Sequence, residues 1–239
     1  MSKSLPFRFK QFEVSHSRSS MKVGVDGVLV GCWAYVEGSR RILDIGTGCG
    51  VVALICAQRN KSASVLGIDI DPPSVEEATF NFASSPFAAR MEARLSNFLE
   101  LEGCFDAIVS NPPFFDSGLS RAESAREIAR HEVMLPLSSL VRKSAGLLHP
   151  DGKLTLILPY ERYQDLVMAA RENGMVCTRL ARVKGHPTAP VKRILAELKL
   201  HDKKEENVIV KEEDIVIMAH ELVPTDTYRN LTKDFYLRY

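Results

Sequence analysis

No apolar run in this chain is long enough to cross a bilayer. The longest uncharged, mostly apolar stretch is Gly27–Val36, ten residues, against about 20 for a spanning helix. Nor does the opening MSKSLPFRFKQFEV carry the apolar centre or small-residue cleavage site of an export signal. A cytoplasmic protein without membrane contact is therefore expected. Cysteine is sparse: Cys32, Cys49, Cys56, Cys104 and Cys177, none in a C-x-x-C pair. An odd, widely spaced set builds neither a disulfide framework nor a zinc site, so reduced thiols are expected. The histidines are dispersed, and no metal is expected. An excess of one charge is also lacking. Lys and Arg total 31 against 30 Asp and Glu, a formal net charge of +1. That excludes a uniformly basic nucleic-acid binder. Repeats and low-complexity tracts are missing, and 45% hydrophobic with 26% charged residues excludes global disorder.

What is there is an alternation of strand and helix patterns. Strands are predicted at Arg41–Ile45, Ser64–Ile70, Ala93–Leu95, Phe105–Ser110 and Lys153–Leu158. Helices are predicted at Val51–Arg59, Pro72–Asn81, Leu137–Leu148 and Glu161–Asn173, with a turn at Pro150-Asp151-Gly152. Such alternation argues for parallel βαβ units and an α/β sandwich. The tail differs: Met175–Val183, Val191–Leu200 and Asp214–Met218 are strand-like with little helix between. These read as antiparallel additions at one sheet edge. A chain of 239 residues is read as one domain. Ligands bind beyond the carboxyl ends of the strands in such sheets. Attention therefore falls on Gly46–Gly50, Asp69–Asp71, Leu95–Phe98 and Ser110–Phe115.

Leu43-Asp44-Ile45-Gly46-Thr47-Gly48-Cys49-Gly50 sets three glycines at alternate positions between a strand and a helix. They permit a tight turn and close approach of a ligand to the backbone. The dinucleotide fingerprint G-x-G-x-x-G needs its third glycine where Val51 stands. The acid-preceded G-x-G-x-G instead resembles the first motif of class I S-adenosylmethionine-dependent methyltransferases. That resemblance implies a Rossmann-like sandwich and S-adenosyl-L-methionine as cofactor, with Asp44, Gly46, Thr47, Gly48, Gly50, Asp69, Asn97 and Phe98 around it. Asp44 would reach the methionine ammonium directly or through water. Asp69, ending the next strand, can accept from both ribose hydroxyls. Asn97-Phe98 stands where the family usually places a polar residue for the adenine amino group, with Asn in place of the more frequent Asp.

Ser110-Asn111-Pro112-Pro113-Phe114-Phe115 closes the fourth strand. Its prolines forbid helix and remove two N–H donors, leaving carbonyls for the cleft. The Asn111 side-chain carbonyl and the Pro112 backbone carbonyl can accept both hydrogens of a planar amino group. Such an amino nitrogen is a poor nucleophile, and two acceptors hold it as it becomes tetrahedral. Catalysis is then positioning and electrostatics, without a strong general base. Phe114 offers a ring for stacking, worth ~1–3 kcal/mol per base. Asn111, Pro112, Pro113 and Phe114 are the candidate catalytic residues. The stretch resembles the [DNS]-P-P-[FYW] motif of amino-group methyltransferases. These act on adenine, cytosine, guanine in ribosomal RNA, or a glutamine amide in release factors.

More blocks join these: Phe9-Lys10-Gln11-Phe12, Met21-Lys22-Val23-Gly24-Val25-Asp26-Gly27-Val28-Leu29-Val30-Gly31, and Ala125-Arg126-Glu127-Ile128-Ala129-Arg130-His131-Glu132. Together the chain resembles the bacterial valine-tRNA adenine methyltransferases, from Phe7 to Phe235-Tyr236-Leu237. The resemblance implies methylation of the 6-amino group of adenine-37 and the anticodon stem-loop of a valine tRNA as partner. It also implies that residues 1–30 cap the cofactor and substrate cleft, with Lys22, Gly24 and Asp26 as further candidates. An equally good local reading makes Asp26 the cap of a helix starting at Val28. Alternatives are a ribosomal RNA guanine-amino or protein glutamine-amide methyltransferase, or a cofactor-binding interaction module without catalysis. Basic residues collect in 1–22 and 179–204. Local patches suffice for phosphate contacts in a neutral chain, so both segments are candidate RNA surfaces. Oligomeric state stays open.

Overall fold

Apolar runs with few polar interruptions are what strands covered on both faces need. The computed structural model, which describes residues 5–19, 21–112, 135–202 and 208–238, turns each predicted run into a strand of one sheet. In chain order the elements are β1 (Phe7–Arg8), β2 (Glu13–Val14), α1 (Val25–Trp33), β3 (Arg41–Ile45), α2 (Val51–Arg59) and β4 (Ser64–Asp69). There follow α3 (Pro72–Ala83), β5 (Met91–Leu95), β6 (Phe105–Ser110), α4 (Leu137–Leu147), β7 (Leu148–Pro159) and α5 (Tyr163–Glu172). The tail supplies β8 (Met175–Lys184), β9 (Arg193–Leu200), β10 (Lys211–Val216), β11 (Met218–His220), β12 (Val223–Pro224) and α6 (Asp226–Thr232).

The main sheet has eight strands in the order β10-β8-β9-β7-β6-β3-β4-β5. From β7 to β5 every pairing is parallel. The order reverses between β3 and β6, the kind of switch point that opens a ligand crevice. One face is covered by α1, α2, α3 and α6, the other by α4 and α5. The antiparallel direction enters through β9, which runs against both β7 and β8. The outermost β10 then pairs parallel with β8, so the tail is antiparallel at its junction and parallel again at its rim. Among the described residues no helix is long and apolar enough to cross a membrane.

Three local expectations change. Pro150-Asp151-Gly152 is not a turn but the irregular start of β7, where the register against β6 shifts between Phe105 and Ala107. The ladder slips there, which accommodates a proline that cannot donate. The third strand begins at Met91, ahead of the predicted Ala93. Helix α1 begins at Val25 with Gly24 as its cap residue, so Asp26 lies inside the first turn and caps nothing. Its charge still suits a helix N-terminus.

Glycine explains how α1 lies so close to α2. A Cβ on Gly31 would sit 3.0 Å from Ile55 Cγ2. The apolar Val28-Leu29-Val30 run beside it is fully buried.

Candidate active site

The glycine loop is fixed to the end of β4. The amides of Gly46 and Thr47 both donate to the Ile68 carbonyl at 2.9 Å, and Gly48 N–H donates to Asp69 Oδ2 at 2.9 Å. Gly50 shows why this sequence is needed: its φ is +84° and a Cβ there would meet Phe82 Cε1 at 2.4 Å. Over Gly46 and Gly48 the opposite holds, since a Cβ would meet nothing within 4 Å. That open space is where a ligand can approach the backbone.

Beneath the loop lies Asp44, 1% exposed. Its Oδ2 accepts from Thr47 Oγ1 at 2.7 Å and from the Ala53 amide at 3.2 Å, one of the free N–H groups in the first turn of α2. Its Oδ1 is buried without a partner. Burial pushes the carboxyl up to about 7, with Asp69 adding in the same direction, against the bonds from Thr47 and Ala53. A buried carboxylate oxygen without a donor is costly. The arrangement therefore fits a cationic or hydrogen-bonding group brought by a ligand.

A cleft of about 290 Å³ opens beside this loop. One wall is Gly46, Thr47, Gly48, Cys49, Val51 and Val52; the other is Met21, Lys22 and Gly24–Gly27, with Asn111 between them. Asn111 is placed there by β6, whose last residue, Ser110, is buried and donates its hydroxyl to the Ile45 carbonyl at 2.8 Å. The ends of β3 and β6 are thereby tied, and glycine loop and Asn111 share one mouth. Asp26 is held from the β9 side by Arg193 Nε at 2.9 Å.

Of the predicted residues, Gly46, Thr47, Gly48 and Asn111 meet at the cleft. Asp44 lies under the loop, and Asp69 steadies it, its Oδ1 also accepting from the Asp71 amide at 3.0 Å. Gly50 serves the turn. Pro112 is buried beside Asn111. Asn97 and Phe98 do not line the cleft. Asn97 is exposed, accepts from the Leu99 amide at 3.1 Å and donates to Glu100 at 2.9 Å, while Phe98 is buried in the core. Pro113, Phe114 and the 125–132 block lie outside the described residues.

The basic segments are less free than their sequence suggests. Arg182 faces Asp214 at 2.7 Å and Glu212 at 3.0 Å, and Arg179 faces the buried Glu197 at 3.1 Å and lies over the Trp33 ring. Arg8 pairs with Glu13, and Arg18 with Glu76. The acids of β10 offset much of 179–204, an alignment set by sheet pairing and invisible in a local charge count. Sequence reasoning also missed Glu77 and Asn81, buried polar residues on one face of α3.

An open α/β sheet with an acid-anchored glycine loop after its first central strand and an Asn-Pro corner across the crevice defines a class I methyltransferase. Two likenesses among solved structures carry the fold. A predicted O-methyltransferase from Agrobacterium tumefaciens superposes with TM-score 0.67, 16% identity, 88% of this chain and 96% of that one. The ribosomal protein L11 methylase of Lactobacillus delbrueckii superposes with TM-score 0.54, 22% identity, 73% of this chain and 78% of that one. The chain belongs to the methyltransferase small domain family, whose model matches residues 28–173. Curated relatives extend the match. A Parabacteroides distasonis protein named tRNA1(Val) (adenine(37)-N6)-methyltransferase is 40% identical over 236 residues, covering 97% of this chain and 98% of its own length. A Vibrio vulnificus protein of the same name is 37% identical, covering 97% and 95%.

Proposed function

We propose that this protein methylates the exocyclic 6-amino group of adenine-37 in a valine tRNA, with S-adenosyl-L-methionine as methyl donor. The observation that carries this reading is the 40% identity over 97% of the chain to a relative of that named activity. The family model stops at residue 173. That relative's likeness runs on through both flanking segments, where a substrate-specific part is expected to lie.

The cofactor supplies an electrophilic methyl group. The chain's own residues supply placement. Gly46 and Gly48 leave room against the backbone, Asp44 offers its unpaired Oδ1, and Asp69 offers the remaining acceptor capacity of its carboxylate. Met21–Gly27 cap the opposite side. Asn111 and the Pro112 carbonyl accept the two amino hydrogens, orient the nitrogen and stabilise the charge it gains. Phe114, with Pro113 fixing its turn, stacks on a base turned out of the anticodon loop. The reaction belongs in the cytoplasm, where tRNA is modified.

Nucleoside mass spectrometry of bulk tRNA incubated with the protein and S-adenosylmethionine tests this. N6-methyladenosine at position 37 of valine tRNA is the expected product. Methyl groups appearing only in ribosomal RNA or a release factor overturn the reading, as does cofactor binding without turnover.

A further inference from the structure

Half of the cleft wall comes from a segment that precedes the methyltransferase core, Met21–Gly27. It belongs to no strand of the main sheet, so something else must hold it. Two side chains of α3 do so, four residues apart and therefore on one helix face. Glu77, 3% exposed, accepts the backbone N–H groups of Ser17 at 2.7 Å, Ser19 at 2.8 Å and Arg18 at 3.0 Å. Asn81, 1% exposed, accepts from the Ser15 amide at 2.9 Å. Its Nδ2 donates both to the Ser15 carbonyl at 2.8 Å and to the Cys49 carbonyl at 2.8 Å. Cys49 lies inside the glycine loop. Beyond this anchor the segment folds back on itself: the Val23 amide donates to His16 Nδ1 at 3.1 Å, and Ser19 Oγ donates to the Met21 carbonyl at 2.9 Å. Both α3 side chains thus act on the cleft through backbone and touch none of its interior.

We propose that Glu77 and Asn81 are positioning residues for the cofactor: through Ser15–Ser19 they fix the Met21–Gly27 wall, and through Cys49 Asn81 locks that wall to the glycine loop. The inference rests on the cofactor reading above. A carboxylate gathering three N–H groups is an anion nest turned inside out, with the ligand role taken by the protein's own side chain. Hydrogen bonds to a charged group are the strong kind. Cofactor affinity scales with the fraction of molecules whose wall is in place, so weakening the anchor lowers affinity without touching the reacting atoms.

The test is calorimetric binding of S-adenosylmethionine to the full chain and to three variants, with melting curves of each. Glu77→Gln removes the charge and sets an amide against N–H groups. Asn81→Asp replaces the only donor to two carbonyls with an acceptor. Glu76→Gln makes the same charge change one residue away, at an exposed pair with Arg18. Expected are losses of about tenfold or more for the first two, and a change within about twofold for the third. The KM for cofactor should rise while kcat at saturating cofactor stays within about twofold, a split that a general loss of stability would not give. Wild-type affinity in folded Glu77→Gln and Asn81→Asp overturns the proposal. A wild-type protein that binds no S-adenosylmethionine overturns the cofactor reading, and the proposal with it. Should a variant not fold, hydrogen exchange on the wild type decides. Saturating cofactor should slow exchange across residues 15–24 about tenfold or more, and unchanged exchange overturns the proposal.

Discussion

Asp44 combines features that rarely coexist: full burial, an oxygen without a donor and a carboxyl pushed up to about 7. The proton and a cationic ligand compete for that oxygen. On the proposed reading, binding favours the ionised form, so cofactor affinity should increase as pH rises through about 7 and level off above it. Asp44→Asn, which keeps shape and removes charge, should bind weakly with a flat pH profile, read by calorimetry from pH 6 to 8. A wild-type profile flat across that range removes the role. Asn111→Ala separates the two halves of the site. Turnover should fall by at least about 10² while cofactor affinity stays close to wild type, because the lost contacts act on the reacting nitrogen. At this scale the sequence was legible where chemistry is local. Asp44, the glycines and Asn111 lie within a few residues of the turns they serve. Glu77 was not, because its partners lie 58 to 60 residues away and are backbone groups that leave no trace in composition.

Helix α1 shows two opposed effects at one position. Alanine for glycine within a helix usually gains up to about 1 kcal/mol. At Gly31 the new Cβ would press on Ile55 at 3.0 Å, and overpacking costs about 1–3 kcal/mol. The clash should win: Gly31→Val is expected to lower stability by about that amount in urea unfolding, and Gly31→Ala to show no gain. Elements were readable in proportion to their burial. Strands β3, β4 and β6 are continuous apolar runs, and their predicted ranges match to within a residue. Strand β10, Lys-Glu-Glu-Asp-Ile-Val, is a polar edge, and its parallel pairing with β8 depends on a partner that no local pattern names. Pro150-Asp151-Gly152 carries turn chemistry, and tertiary pairing overrides it.

For the whole molecule, net charge is the wrong summary and pairing the better one. Residues 179–204 look basic along the chain, yet Arg179, Arg182 and Arg193 face Glu197, Asp214, Glu212 and Asp26. Exposed pairs of this kind add little stability, about 0–1 kcal/mol, but they reduce the potential available to phosphates. RNA binding should therefore show a shallow salt slope, corresponding to fewer neutralised phosphates than the basic count implies. Filter binding from 50 to 200 mM salt, taken here as about that range, measures it. A slope as steep as one phosphate per basic residue of both segments would contradict this pairing.

The segment that walls the cleft is also stitched to residues made last. Phe9 bridges Tyr236, the Lys10 amide donates to the Phe235 carbonyl, and Lys10 Nζ reaches the Lys233 carbonyl across 223 positions of sequence. Phe7, Phe9 and Tyr236 pack ring to ring at the same seam. Closing so long a loop is entropically late. During synthesis the glycine loop and its sheet can assemble well before the ribosome releases residue 236. Competence to take up cofactor then arrives only with the final turns of chain, so a protein stalled short of them carries the motif without the grip.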